Sequence, residues 1–287
     1  MINIERYQRH IDKLNRWNRD NFKALYYTTD LIGYLKEPVW SQLMKWPGYF
    51  SMDEAGLHLN PKFNTFESRT ELFDEVTTKL VDLKVMTHRH GERYPVTSSG
   101  RDSAIATIDR AAAAFFGLRA YGQHLNGFIR SKDGLKLWIA RRASDRRIFP
   151  DHLDNMVAGG LPHNMTLTEN LYKECQEEAS VPPTLVDRAI PVGALTYCTE
   201  TKVGLKPDTL YCYDLELPKE FIPRNSDGEV AEFTLMSVDE LAERVAITDE
   251  FKPNCNLVVI DFLVRHGIIN PETPGYLELV HGLHKTL

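Results

Sequence analysis

Three glutamates within five residues, Glu174, Glu177 and Glu178, are the clearest chemical feature of this sequence. On a helix, which turns about 100° per residue, their carboxylates share one arc roughly 100° wide. Like charges at this spacing cost roughly 0.2–0.5 kcal/mol per pair, and the C-terminal half of a helix is unfavourable for anions. We therefore expect this arc to bind a cation. Because the ligands are all oxygens, Mg²⁺ or Mn²⁺ is favoured over zinc.

The elements around the glutamates can be predicted from local signals. Thr166 and Glu169 have the spacing of a capping box, which predicts a helix that begins directly after Thr166. The helix is predicted to end at Ala179 or Ser180, because Pro182-Pro183 prevents its continuation. These glutamates would then lie in the second half of a capped helix.

A strand ending in Gly159 and Gly160 is predicted immediately before this helix. Two glycines allow the backbone to approach a ligand closely, and their carbonyls are candidate ligands of the same cation. The alternative is an ordinary solvated acidic helix face. The adjacent glycines favour the cation site.

The segment KECQEEAS, residues 173–180, resembles the second half of a Nudix box, whose pattern is Arg-Glu-apolar-any-Glu-Glu-any-Gly. Lysine replaces the arginine and serine replaces the glycine. The first half departs from the pattern, with Asn164 at a loop glycine and Met165 at the box glutamate. Gly160 and Lys173 enclose 12 residues where the pattern has 13, which predicts a loop one residue short.

The missing box glutamate normally supports this loop and pairs with the box arginine in the family. Glu169 and Lys173 stand four residues apart in the favourable order. We expect this pair to take over that role. Asn164 and Met165 leave open whether the altered loop slows turnover.

The resemblance extends beyond the box. Leu137–Arg142 and Leu153–Gly160 look like the strand and approach segment that precede it. Tyr213–Pro218, Asp227–Val230 and Phe251–Asn254 are similar to one branch, the proteins related to the Nudix domain fused to thiamine pyrophosphokinase. The resemblance implies an α+β fold, an α/β/α sandwich with a mixed sheet, preceded by an additional N-terminal α+β region.

In chemical terms, the resemblance implies a Mg²⁺-dependent pyrophosphohydrolase acting on a small organic diphosphate, with thiamine diphosphate or an oxidised analogue suggested by the branch. Two alternatives stay open: a hydrolase of nucleoside diphosphate derivatives, and a non-catalytic ligand-binding or regulatory protein. Glu174, Glu177 and Glu178, with Gly159 and Gly160, are the implied metal ligands. The general base is left open among three carboxylates. These are Glu177, Glu178 and Glu229.

Four arginines lie between the strand and the box, and a guanidinium suits bidentate contact with phosphate. Arg142 and Arg146 are the predicted substrate-binding residues. The alternative is a solvated basic turn that balances neighbouring aspartates.

The composition of the 287 residues is that of an ordinary globular protein, with 43% hydrophobic residues and a net charge of −6. This balance argues against partners such as nucleic acid or an anionic membrane. The longest apolar run, Ala111–Leu118, is far too short to span a bilayer, and the N-terminus lacks a signal segment. A cytoplasmic location is therefore expected. Four scattered cysteines without a CxxC pair predict reduced thiols and no cysteine-based zinc site.

The sequence predicts two parts without a sharp boundary between them. Residues 1–115 form an N-terminal region of unknown role, and residues 116–287 form the Nudix-like domain with C-terminal helices. The first region could form part of the substrate pocket, a dimer surface or a binding module, and family members often form homodimers. The predicted helices are Ile4–Trp17, Pro38–Trp46, Glu67–Val85, Ser103–Phe116, 238–245, 251–266 and 272–284.

Overall fold

The structure, a computed structural model, describes residues 3–285. Residues 1, 2, 286 and 287, which the two predicted regions include, lie outside the described residues. The elements of the first region are α1 (Glu5–Leu14), β1 (Lys23–Tyr27), β2 (Asp30–Leu35), α2 (Glu37–Leu43), β3 (Phe50–Met52), β4 (Leu57–Leu59), α3 (Phe66–Asp82), β5 (Arg93–Val96) and β6 (Ala106–Asp109). The strands of the second region are β7 (Ala120–Ser131), β8 (Gly134–Arg142), β9 (Leu153–Asn155), β10 (Val157–Gly160), β11 (Ile190–Glu200), β12 (Leu205–Glu216) and β13 (Val230–Ser237). Its helices are α4 (Leu167–Ala179), α5 (Pro183–Val186), α6 (Val238–Ile247), α7 (Pro253–Arg265) and α8 (Tyr276–Gly282).

The second region is built on a mixed sheet. Its strands run in the order β11-β12-β7-β8-β13, β10 pairs with β7 and β9 pairs with β8. Only the β7–β12 pair is parallel among the ladders of this sheet between residues 3 and 285. Helices α4 and α5 cover one face, and α6, α7 and α8 cover the other. The three-layer α+β arrangement predicted for this region is confirmed.

The first region has its own core but is not separate from the second. Strands β2-β1-β4-β3 form one sheet, and the β5–β6 hairpin packs with α3. Helix α1, however, buries Tyr7, Ile11 and Leu14 in the core beneath α6, α7 and α8. The N-terminal helix is thus part of the outer layer of the second region, and the division at residue 115 stays a prediction.

One predicted helix, Ser103–Phe116, is wrong. The segment instead forms strand β6 and the short 3-10 helix Arg110–Ala112. All four residues of β6 are buried, and the strand pairs with β5. A strand that is buried on both faces lacks the alternation of apolar and polar residues, so its sequence resembles that of a buried helix. The alanine run Ala111–Ala114 lies after β6, in the 3-10 helix and the turn that follows it.

A buried ion cluster joins β12 to α7. Arg265 donates to Asp214 at 2.6 and 3.1 Å, and Asn126 donates to it at 3.1 Å. Burial alone would raise the pKa of Asp214, but the hydrogen bonds from His266, Arg265 and Asn126 outweigh it and lower the pKa below its ordinary value. This carboxylate therefore contributes stability above its unfolded pKa of about 4, and the contribution is lost as pH falls through the folded pKa.

Asp214→Asn is expected to lower the free energy of unfolding at pH 7 by about 1–3 kcal/mol, because it leaves the Arg265 guanidinium short of one buried partner. The deficit relative to the unchanged protein should shrink below about pH 4. Urea unfolding at pH 7 and pH 3 measures both values. Asp133→Asn, in an exposed turn, is the control; an equal deficit at both pH values would contradict the role of this ion pair.

All four cysteines are buried and free, which confirms the prediction of reduced thiols. Between residues 3 and 285, no helix has the length and apolar character needed to cross a membrane.

Candidate active site

Helix α4 has the predicted boundaries. The Thr166 hydroxyl accepts from the Glu169 backbone N–H at 3.1 Å, and the Glu169 carboxylate accepts from the Thr166 N–H at 2.8 Å. At the other end Ser180 adopts the left-handed conformation, with φ 50°. The capping box and the helix end are both confirmed.

Glu178 lies on the inner face of α4 and is 8% exposed. Its Oε2 accepts from the backbone N–H of Ala158 in β10 at 2.8 Å, the only hydrogen bond to this carboxylate from residues 3–285. Burial raises the pKa of Glu178 to about 8. A buried carboxylate without an ion-pair partner in the described chain is suited to bind a cation.

Glu174 lies one turn earlier, with its carboxylate against the backbone of Gly159. A Cβ at residue 159 would lie 2.3 Å from Cδ of Glu174 and 2.7 Å from Oε1, so only glycine leaves room for this carboxylate. Burial raises the pKa of Glu174. Gly159 and Lys173 enclose 13 residues, the number in the box pattern, whereas counting from Gly160 gives 12, so the predicted shortening of the loop stays a prediction.

Lys173 bridges two of the three box carboxylates. Its Nζ is 3.1 Å from Oε1 of Glu174 and 3.0 Å from Oε2 of the half-exposed Glu177. Burial alone would lower the pKa of Lys173, but the two carboxylates raise it. The predicted Glu169–Lys173 pair is wrong, because the Glu169 carboxylate turns back to cap the helix.

The box glutamates do not form a tight ligand cluster in this conformation. Among residues 3–285, one group of His, Cys, Asp or Glu side chains has all its ligand atoms within 4.8 Å: His124, Asp154 and Cys255, all buried. These three could hold a metal ion, and burial lowers the pKa of His124 to about 4, which leaves it neutral. Arg142 and Lys252 already lie 3.0 and 3.3 Å from Asp154, however, so its charge is balanced.

No local pattern in the sequence indicates this group, because its members are scattered over 131 positions and none belongs to a short motif. The Cys255 thiol donates to Asp154 Oδ1 at 2.7 Å. Burial raises the pKa of Cys255, so it is held as a thiol.

Glu229 and Arg146, both predicted site residues, are brought together. The Glu229 carboxylate lies 2.8 Å from Nη2 of Arg146, and its backbone carbonyl accepts from the N–H of Ala143 at 2.9 Å. The turn before β13 is thereby joined to the loop after β8. Between residues 3 and 285, Glu229 forms no ion pair or hydrogen bond that links it directly to the box glutamates.

Arg142 is held within the fold. Its Nη1 donates to Asp154 at 3.0 Å, while Nε and Nη2 each donate at 3.1 Å to the carbonyls of Phe149 and Ile148. The side chain is 15% exposed. These contacts favour a role in shaping the loop, and substrate binding by Arg142 stays a prediction.

The loop between β10 and α4 is held by the first region. Nη2 of Arg101 donates to the carbonyls of Met165, Pro162 and His163 at 2.7, 2.9 and 3.4 Å. The N–H of His163 donates to the carbonyl of Arg93 at 2.7 Å. Arg101 thus supports the loop from which the box glutamate is missing, and no local sequence signal marked it.

The same region also contacts the end of β10. A Cβ at residue 160 would lie 2.3 Å from the hydroxyl of Tyr94 and 3.0 Å from Cζ of Arg110. The carbonyl of Gly160 accepts from Asn170 at 3.0 Å. Burial raises the pKa of Tyr94 to about 12. Gly160 therefore allows the first region to lie against the strand that leads into the box.

Two protein-family models match the two regions of the chain separately. Residues 6–120 match the family model described as a domain of unknown function (DUF4743), and residues 124–255 match the NUDIX domain. The chain is similar to two Arabidopsis thaliana proteins, "Nudix hydrolase 24, chloroplastic" and "Nudix hydrolase 20, chloroplastic". Identities are 40% and 39%, covering 95% of this chain and 77% and 76% of those proteins. A Deinococcus radiodurans crystal structure aligns at 22% identity and a TM-score of 0.42, covering 58% of this chain and 97% of that one.

Proposed function

Because this chain belongs to the Nudix hydrolase family, we propose that it is a divalent-metal-dependent pyrophosphohydrolase that cleaves a small organic diphosphate by attack of water on phosphorus. Membership of the family shows that the chain is a hydrolase. The bond that it cleaves, the metal ion and the substrate are what we propose. The proposal depends mainly on one observation. The carboxylate of Glu174 fills the space left by Gly159, and the buried Glu178 lies on the same helix as Glu174.

The residues present fit a hard divalent cation such as Mg²⁺ or Mn²⁺. Glu174 and Glu178 would hold it, with Glu177 and the carbonyls of Gly159 and Gly160 as further oxygen ligands. The ammonium group of Lys173 already places one positive charge between two of these carboxylates. When bound, the ion would neutralise phosphate oxygens and lower the pKa of a coordinated water.

The chain's own carboxylates supply the base. Glu177, Glu178 and Glu229 stay the candidates for accepting the proton of the attacking water. Glu229 is held by Arg146, whose side chain is 33% exposed and whose guanidinium lies where the loop after β8 meets the turn before β13. Of the two predicted substrate-binding arginines, we propose Arg146 as the better candidate for contact with phosphate, because Arg142 is enclosed by the fold.

Turnover of a panel of diphosphates tests the proposal. The purified chain is incubated with Mg²⁺, or with EDTA, and thiamine diphosphate, oxidised thiamine diphosphate, ADP-ribose or nucleoside diphosphates, and monophosphate and phosphate products are measured. Metal-dependent turnover of one member supports the proposal and identifies the organic group. Absence of turnover across the panel, with metal bound, would instead favour a ligand-binding protein.

Metal binding has a separate readout. Mg²⁺ or Mn²⁺ is expected to raise the melting temperature of the unchanged protein, because an ion that binds only the folded state stabilises it. The rise should be clearly smaller in Glu174→Gln and unchanged in Glu243→Gln, an exposed position on α6. Equal rises in all three proteins would place the ion elsewhere, for instance at His124, Asp154 and Cys255.

Thiamine diphosphate as the substrate, the relation to the thiamine pyrophosphokinase branch, homodimer formation and a cytoplasmic location stay predictions. The names of the two Arabidopsis relatives place those proteins in the chloroplast.

A further inference from the structure

Arg110, in the first region, is positioned firmly by its backbone. It opens the 3-10 helix Arg110–Ala112, whose N-cap Asp109 accepts from the N–H of Ala111 at 2.9 Å. The N–H of Arg110 donates to the carbonyl of Glu92 at 2.9 Å. The direction of its side chain is set by a contact with Tyr94, because the guanidinium lies over the Tyr94 ring, 5.5 Å from the centroid.

The guanidinium of Arg110 lies against the strand that leads into the box. Its Cζ and Nη1 would be 3.0 and 3.1 Å from a Cβ at residue 160. The adjacent Gly159 contacts the Glu174 carboxylate. A cation from the first region and a proposed metal-binding carboxylate from the second thus lie beside two consecutive residues of β10.

The side chain has hydrogen-bonding capacity to spare. Nη1 donates to Glu92 at 2.7 Å, and this is the only hydrogen bond that the guanidinium makes to residues 3–285. It is 38% exposed. Nε and Nη2 are therefore available to an anion, and a planar guanidinium suits phosphate oxygens better than an ammonium group does.

We propose that Arg110 binds a non-bridging phosphate oxygen of the diphosphate, so that the first region contributes directly to substrate binding. This inference rests on the proposed function. The carboxylates of α4 bind the substrate through a cation, whereas Arg110 contacts the phosphate itself. The likeness of residues 6–120 to a domain of unknown function assigns no such role.

The experiment uses the full chain and a matched control. Arg130 also pairs with one glutamate, Glu216, and also lies over an aromatic ring, Phe128, but near the far end of β7. Methylenediphosphonate, which resists hydrolysis, is titrated calorimetrically in the presence of Mg²⁺. Arg110→Ala should raise its Kd by about 10- to 100-fold, the effect of losing a charge-assisted contact, and Arg130→Ala should leave it unchanged.

Arg110→Lys keeps the charge without the planar fork, so its Kd should lie between those of the unchanged protein and Arg110→Ala. It also serves if the alanine variant fails to fold. With any diphosphate that the protein hydrolyses, KM should rise more than kcat falls. A purely structural role would instead lower the melting temperature and leave Kd and KM unchanged, which would overturn the inference.

The outcomes separate this inference from the proposed function. Arg110-dependent binding of methylenediphosphonate without hydrolysis of any diphosphate supports the inference and contradicts the function. Hydrolysis with the same Kd and KM in Arg110→Ala supports the function and overturns the inference. If the unchanged protein does not bind methylenediphosphonate with Mg²⁺, the inference is also wrong.

Discussion

Glu178→Gln is expected to reduce metal-dependent turnover by at least about 100-fold, the scale of losing a group that holds the cation or accepts the proton. The fold should persist. The glutamine oxygen can accept the hydrogen bond from the N–H of Ala158, and the amide has nearly the shape of the carboxyl that it replaces. Since burial raises the pKa of Glu178 to about 8, the metal-free protein already carries a neutral group here at pH 7.

The measurement compares kcat and melting temperature in parallel. Without metal, Glu178→Gln should melt within a few degrees of the unchanged protein, whereas with Mg²⁺ the unchanged protein should gain stability and Glu178→Gln should not. Glu243→Gln, exposed on α6, controls for the loss of one negative charge. Undiminished turnover in Glu178→Gln would remove this residue from both the metal site and the list of general bases.

Helix α4 and the strand before it were predictable because their signals are local. The capping box at Thr166 and Glu169, the glycines at 159 and 160 and the prolines after residue 181 all act within one or two turns of the chain. Each specifies the backbone without reference to distant residues. The placement of the three box glutamates on one helix followed from these signals.

What could not be predicted depends on contacts between distant segments. Strand β6 looked helical because its alternating faces are both buried, one of them by α3. Glu169 was expected to pair with Lys173. Its carboxylate instead accepts from the N–H of Thr166, while Lys173 pairs with Glu177, and the outcome depends on which nearby donors compete for each carboxylate. The contacts of Arg101 and Arg110 with the box span 50 to 64 positions, and no periodicity or spacing in sequence indicates them.

These distant contacts explain how the box tolerates its departures. The position of the box glutamate is taken by Met165, whose carbonyl, not its side chain, is the group held in place. A side-chain interaction within the loop is thereby replaced by hydrogen bonds from Arg101 to the loop backbone. We therefore expect the geometry of the loop to depend on the first region.

Arg101→Ala is expected to lower kcat/KM by about 100-fold although Arg101 belongs to the other region of the chain. Removing its hydrogen bonds to the carbonyls of Pro162, His163 and Met165 frees the loop that joins Gly160 to α4. A shift of about 1 Å in groups that position a substrate can cost a hundredfold in rate. The cost in stability should be about 1–3 kcal/mol, because charge-assisted hydrogen bonds are lost from one partly buried side chain.

Arg119→Ala is the matched control, because Arg119, just beyond the first region, donates a hydrogen bond to the carbonyl of Ser99 in that region at 3.2 Å rather than to the loop. Its kcat/KM should stay close to that of the unchanged protein. Hydrogen exchange provides a readout independent of activity: the N–H of Met165, which donates to Pro162, should exchange faster in Arg101→Ala. Unchanged exchange together with unchanged kcat/KM would mean that the loop holds its conformation without the first region, through its own short-range hydrogen bonds and the capping box of α4.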